Sequence, residues 1–314
     1  MNRVAFISHA DCLGHECGPD HPEQPARVRV IAERLARTGL LDHLDCLDAP
    51  VAVDSQLAPA HTADYLHSLE AAHRRLIVSG SRQPIHLDPD TLLGPHSLAA
   101  ARRAAGAAAL AADLVLAGTY HRAFCNVRPP GHHAHRDRAG GFCFLNNVAI
   151  GIYAALARGI TRIALLDFDV HHGDGSEQMF ANDPRVLMLS TFALDLFPHI
   201  GLEPLGCNMV NVGLPPGADG IALRRVMETR WLPAIEKFRP ELLFVSAGFD
   251  AHFQDGLGNM RWTDDDYVWL AQQIVAIANR HCGGRIISIL EGGYNLAALA
   301  RCAELHIRGL MDMA

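Results

Sequence analysis

A single α/β domain over residues 1–314, one mostly parallel sheet with helices on both faces, is the fold this sequence predicts. Three observations predict it. Short apolar runs alternate with helix-spaced segments along the chain. Several runs are apolar at nearly every position, as strands are when both their faces are covered. No repeat, linker or low-complexity tract divides the chain, so strand–helix alternation builds one layered unit rather than two.

In chain order, strands are expected at Val4–Ser8, Ala123–Val127, Arg162–Asp169, Val186–Thr191, Met209–Leu214, Leu242–Phe249 and Arg285–Glu291. Between them, Val28, Ile31 and Leu35 recur at helical spacing after Pro25. Ser97–Leu116 is alanine-rich and stops near Gly118, and Asn147–Ala157 stops at Gly159, a common C-terminal signal. Thr263 with Asp266 resembles a capping box opening a helix that runs to about His281.

The composition agrees with one large core: 49% of the 314 residues are apolar and 19% are charged, the reverse of a disordered chain. Net charge is −7 and no lysine/arginine run suggests a nucleic-acid partner. The apolar start, Val4–Ile7 after Met1-Asn2-Arg3, is shorter than the roughly 7–15 residues of a secretory leader. Ala104–Ala117 is broken by Asp113 and falls short of the ~20 residues that span a bilayer. Eight cysteines show no CxxC pairing. The expectation is a reduced, cytoplasmic protein without a membrane partner.

In such folds reactive loops leave the carboxyl ends of strands, and the unusual residues fall there. Arg128-Pro129-Pro130-Gly131-His132-His133, Asp167-Phe168-Asp169-Val170-His171-His172-Gly173-Asp174-Gly175, Phe249-Asp250 and Glu291-Gly292-Gly293-Tyr294-Asn295 each follow an expected strand. In an extended segment Asp167, Asp169 and His171 share one side. A catalytic zinc takes three N/O ligands and keeps a position open; Asp169, His171 and the distant Asp250 supply such a set, whereas an Asp-rich loop alone would as readily cap a helix. His132 and His133, on a turn stiffened by two prolines, are candidates for moving protons, with Asp167 and Asp174 available as acceptors. Tyr294, after two glycines, can donate to a developing oxyanion or simply pack at a helix start. His9, His15, His61, His121 and His281 lack such company and read as structural or surface residues.

Together with Gly140-Gly141-Phe142-Cys143-Phe144-Leu145-Asn146-Asn147, Ala247-Gly248-Phe249-Asp250 and the early His21-Pro22-Glu23, Pro25 and Arg27, these motifs resemble the histone deacetylase and acetylpolyamine amidohydrolase family, in order from about residue 20 to 305. The resemblance implies the arginase/deacetylase fold with about eight strands, and one catalytic zinc on Asp169, His171 and Asp250. It implies His133 as general base and acid, paired with Asp174, His132 as its electrostatic partner, paired with Asp167, and Tyr294 as polariser of the amide carbonyl. Gly141, Phe142 and Phe197 would line an acyl-lysine channel, Leu257 would gate its mouth, and Asp90 would meet substrate backbone there. Potassium would bind at Asp167, Asp169, His171, Ser190 and Thr191, and a second monovalent ion near backbone oxygens of Phe180, Asp183 and Val186. Departures cluster at the rim: Ser190-Thr191-Phe192 stands for the more common Ser-Leu-His, and His199 for a small residue.

The expected activity is hydrolysis of an acyl amide on a lysine-like amine, in a peptide or a small molecule. Acetylpolyamine hydrolysis is the alternative, favoured by Glu16, Glu23 and the acidic balance and disfavoured by Leu257; a silent acyl-lysine-binding module is the third reading. Self-association is compatible with all three.

Overall fold

The computed structural model describes residues 3–81 and 83–313; Met1, Asn2, Arg82 and Ala314 of the expected 1–314 domain lie outside the described residues. Eight strands form one sheet: β1 (Val4–Ser8), β2 (Asp45–Asp48), β5 (Arg122–Cys125), β6 (Ile163–Asp167), β7 (Val186–Ala193), β8 (Met209–Leu214), β9 (Leu242–Ala247) and β10 (Ile286–Leu290). A separate antiparallel pair, β3 (Ile85–His86) and β4 (Leu92–Leu93), lies in a connection. Every neighbouring pair in the large sheet is parallel, in the order β2-β1-β5-β10-β9-β6-β7-β8.

Each interior strand is built from residues that tolerate burial on both faces. Ile163–Asp167, Leu242–Ala247 and Ile286–Leu290 are buried throughout. Alternate side chains feed two apolar layers. Phe124, Leu166 and Val245 join Ile31, Ile274 and Ile307 from helices 26–37, 264–281 and 296–310 on one face. Ala123, Leu165, Phe244 and Ile289 join helices 97–116 and 147–157 on the other. The alanine-rich surface of the 97–116 helix serves close approach: a Cβ on Gly151 would sit 3.3 Å from Ala108 Cβ and 2.7 Å from the Phe244 ring. Among the described residues no helix is long and apolar enough to cross a membrane.

Seven strands lie where the sequence puts them, with ends shifted by a few residues. The eighth, β2, alternates half-buried and exposed positions at the sheet edge, so its Asp-Cys-Leu-Asp carries no apolar signal. The sheet order places the four motif-bearing strands, β5, β10, β9 and β6, side by side at its centre. Their carboxyl ends therefore open onto one spot.

Candidate active site

β6 ends at Asp167, and the chain then bends. The convergence of Asp169 and His171 thus comes from a side-chain turn rather than from strand pleating: Asp169 Oδ1 accepts the His171 N–H at 2.9 Å and lies 3.0 Å from His171 Nδ1. Asp250, three residues past β9, reaches across; its Oδ1 accepts the Val170 N–H at 2.9 Å and its Oδ2 stands 3.2 Å from His171 Nδ1. Asp169 Oδ2 accepts the Gly292 N–H at 2.7 Å, tying in the loop after β10. One donor atom from each of Asp169, His171 and Asp250 lies within 4.8 Å of the others.

Three observations fit this triad to a divalent cation. Two carboxylates and an imidazole match the oxygen and nitrogen preference of zinc. Asp250 Oδ2 is buried and, apart from the His171 imidazole 3.2 Å away, has no polar partner among the described residues, a setting that suits a cation. Only glycine fits behind the carboxylates, since a Cβ on Gly292 would lie 2.0 Å from Asp250 Oδ2 and 2.5 Å from Asp169 Oδ2.

The turn after β5 supplies the histidines. His132 Nδ1 lies 3.0 Å from Asp167 Oδ2, and His133 Nδ1 lies 2.7 Å from Asp174 Oδ1, at the start of helix 174–180. A carboxylate only accepts, so each Nδ1 carries its hydrogen and each Nε2 faces the other way. The rings are 4.0 Å apart, yet their environments divide them. Burial opposes charge on both. Around His132 the Asp167, Asp169 and Glu291 carboxylates outweigh it and hold the pKa well above the usual range. Around His133 burial and the neighbouring His132 charge prevail over Asp174 and push the pKa down to about 4. Burial and neighbouring charge thus push the two imidazoles in opposite directions, the split expected of an acid–base pair.

Above them a cavity of about 240 Å³ is lined by Asp90, His133, Gly141, Phe142, His171, Leu196, Phe197, Leu257 and Tyr294. All the expected substrate-binding residues meet in it. Gly141 and Phe142 both take left-handed backbone, φ 54° and 69°, held by their N–H groups on Asp88 Oδ2 and Thr91 Oγ1 at 3.1 and 3.0 Å. The Phe142 ring meets Tyr294 edge-on at 5.9 Å, and Phe197 meets His133 edge-on at 4.8 Å. Tyr294 is fixed from below: its N–H and that of Asn295 donate to Asp255 Oδ2 at 2.6 and 2.8 Å, and the Arg27 guanidinium lies 4.9 Å from its ring centre.

With this arrangement in view, comparison with known proteins is decisive. The histone deacetylase domain model matches residues 21–310. The chain belongs to the histone deacetylase family. A histone deacetylase-like amidohydrolase of Pseudomonas aeruginosa is 37% identical across 98% of this chain and 86% of its own length. Type-2 histone deacetylase 2 of Dictyostelium discoideum is 33% identical across 99% of this chain, which spans only 21% of that longer protein. The crystal structure of the HDA15 HD domain superposes with a TM-score of 0.91 at 30% identity, covering 100% of this chain and 91% of that one. The eight-stranded parallel sheet is that of this family's arginase/deacetylase fold.

Beneath the triad of this deacetylase-family chain, Ser190 stands in register with Asp167 on β7, and Thr191 follows it; both are buried. Ser190 Oγ contacts His172 Nδ1 at 3.0 Å, and the Thr191 hydroxyl donates to Val212 O at 3.3 Å. The Phe180, Asp183 and Val186 carbonyls converge, but on the Asn208 side-chain amide, whose Nδ2 donates at 2.8, 3.0 and 2.8 Å. Four supporting residues escaped the sequence reading. Glu291 receives the N–H groups of Gly131 and His132. His135 Nε2 shares Asp174, at 2.8 Å from its Oδ2. Asp255 and Arg128 hold the loops of Tyr294 and His132. Of these, Glu291 and Arg128 lay inside quoted motifs, each a charged residue directly after an apolar strand, a signal that could have flagged them. His15 and His61, read as structural, are buried and hydrogen-bonded to Ser97 Oγ and His135 O.

Proposed function

We propose that this protein is a zinc-dependent amide hydrolase that removes acyl groups from lysine-like amines. Family membership supports a hydrolase acting on amides. The observation that carries the finer reading is the triad of Asp169, His171 and Asp250 at the foot of an aromatic-walled channel beside a charge-divided histidine pair. Zinc bound there would supply a Lewis acid and an acidified water near neutral pH. His133, its Nδ1–H held by Asp174, presents Nε2 as the base that takes a proton from the attacking water and then delivers it to the departing amine. His132, cationic over Asp167, contributes positive charge next to the reacting carbonyl. The Tyr294 hydroxyl donates to the oxygen of that carbonyl as it gains charge, and burial keeps the phenol protonated. Phe142 and Phe197 enclose the aliphatic stem of the amine and exclude water. Potassium at Asp167, Asp169, His171, Ser190 and Thr191 would stiffen the same loops.

The mouth favours acyl-lysine over an acylated polyamine. Leu196, Phe197 and Leu257 line it, and Asp90 is its one carboxylate among the described residues, a poor match for a polycation. The test is a panel of acetyl-lysine peptides and acetylpolyamines with metal analysis, comparing wild type with Tyr294→Phe. We expect about one zinc per chain, preference for acetyl-lysine, and a kcat loss of about 10²–10³ in the variant. Turnover unaffected by chelation or by the variant would overturn the mechanism, and preference for the polyamine would overturn the substrate assignment.

A further inference from the structure

Glu291 is a buried carboxylate with no lysine or arginine on its oxygens among the described residues. Its Oε2 accepts the N–H of Gly131 at 2.7 Å and of His132 at 3.1 Å, and its Oε1 accepts the Ser246 hydroxyl at 3.2 Å. It thus joins the turn after β5 to β9 from its own place at the end of β10. The turn has no slack on its other side: a Cβ on Gly131 would lie 2.5 Å from Asn147 N. Arg27 donates to the carbonyls of both Glu291 and Gly293, the latter at 2.7 Å, fixing the main chain that carries the carboxylate. Two buried donors of a non-repetitive turn would otherwise lack acceptors, which is costly in an apolar surround.

We propose that Glu291 is a positioning residue for the His132–His133 pair, acting through the reach of its Oε2 to the turn while its Oε1 is anchored on Ser246. The inference rests on the hydrolase reading for its kinetic consequence, but not for its structural one. Two substitutions separate reach from charge. Glu291→Gln keeps the length and an acceptor oxygen, while its NH₂ can donate to the Ser246 hydroxyl; Glu291→Asp keeps the charge and loses one methylene of reach. A misplacement near 1 Å in a catalytic group costs about 10²-fold. E291D should therefore lose at least about tenfold in kcat with KM within about twofold. E291Q, which keeps both turn contacts but removes one of the carboxylates facing His132, should lose clearly less kcat than E291D.

Amide hydrogen exchange at Gly131 and His132 reads the same contact without any substrate. Both amides should remain protected in E291Q and exchange at least about tenfold faster in E291D. Ser246→Ala, which frees only Oε1, should speed their exchange moderately and serves if E291D does not fold. Equal losses of kcat in E291D and E291Q, or a loss confined to KM, would overturn the proposal. So would exchange unchanged in E291D or, if it does not fold, in Ser246→Ala. A wild-type protein without deacylase activity would overturn the hydrolase reading while leaving the exchange result to decide the contact.

Discussion

Removing the carboxylate of Glu23 tests how the chain holds the histidine turn from the opposite side. Glu23 is fully buried; Arg128 donates to it through Nε at 2.8 Å and Nη2 at 2.6 Å, Arg27 Nη1 at 3.2 Å, and His15 Nε2 stands 3.3 Å away. Both guanidiniums are also fully buried. Glu23→Ala leaves two cations without a carboxylate among the described residues: Arg128 keeps Cys12 O and His15 O at 2.7 and 2.5 Å, and Arg27 keeps Gly293 O, Glu291 O and the Tyr294 ring. Breaking a buried pair from one side costs about 3–5 kcal/mol, and two stranded charges place this variant at the upper end. That is a large share of a typical 5–15 kcal/mol total. Urea unfolding at fixed pH and metal concentration measures it. Glu33→Ala is the control: its Arg29 pair is 3.8 Å long with both partners more than half exposed, so its effect should stay within about 0.5 kcal/mol. A Glu23→Ala loss below about 1 kcal/mol, at an unchanged slope, would refute the account of the buried cluster.

Gly141→Ala should retain the fold but close the channel, because its Cβ would lie 2.6 Å from His133 and 2.8 Å from Phe197 on left-handed backbone; kcat/KM should fall at least about 100-fold, and near-normal turnover would contradict the channel. Burial pushes His61 and His306 down to about 4. The native state therefore binds fewer protons than the unfolded chain below about pH 6.5, so stability present above that pH is lost as pH falls toward 4, about 2 kcal/mol per histidine by pH 5. In unfolding measured from pH 7 to 5, His306→Phe should remove about 2 kcal/mol of the wild-type loss. Dialysis against a chelator should abolish hydrolysis and lower the melting temperature, with zinc restoring both, because the Asp169 and Asp250 carboxylates then face each other without a cation; an unchanged melting temperature would argue against metal at these residues.

The sheet was legible because its interior strands, such as Leu242–Ala247 and Ile286–Leu290, are apolar on both faces and leave one plausible structure. The site was legible because Asp169, His171, Asp250 and the histidine pair each follow such a strand. Edge strand β2 was not, since half of its residues face solvent and its pairing comes from β1 alone. Helices 63–79 and 296–310 went unread although each opens on a capping side chain, Thr62 on the Tyr65 N–H and Asn295 on the Ala298 N–H. The couplings that hold the site, Glu23 to Arg128 and Glu291 to Gly131, span 105 and 160 positions and exist only once the strands are ordered. Local spacing carries no trace of them.

Because the reactive residues follow β5, β10, β9 and β6, each strand hydrogen-bonded on both flanks, their loops are rooted in strands held by two ladders apiece. The mouth is tethered otherwise: Phe197, Ile200, Leu202 and Leu205 occupy a largely exposed connection beyond β7. Fidelity of the chemistry and choice of substrate thus reside in parts of unequal rigidity. Swapping the connection should retune what enters while leaving the turnover machinery intact, and thermal inactivation should coincide with collapse of the whole domain instead of preceding it.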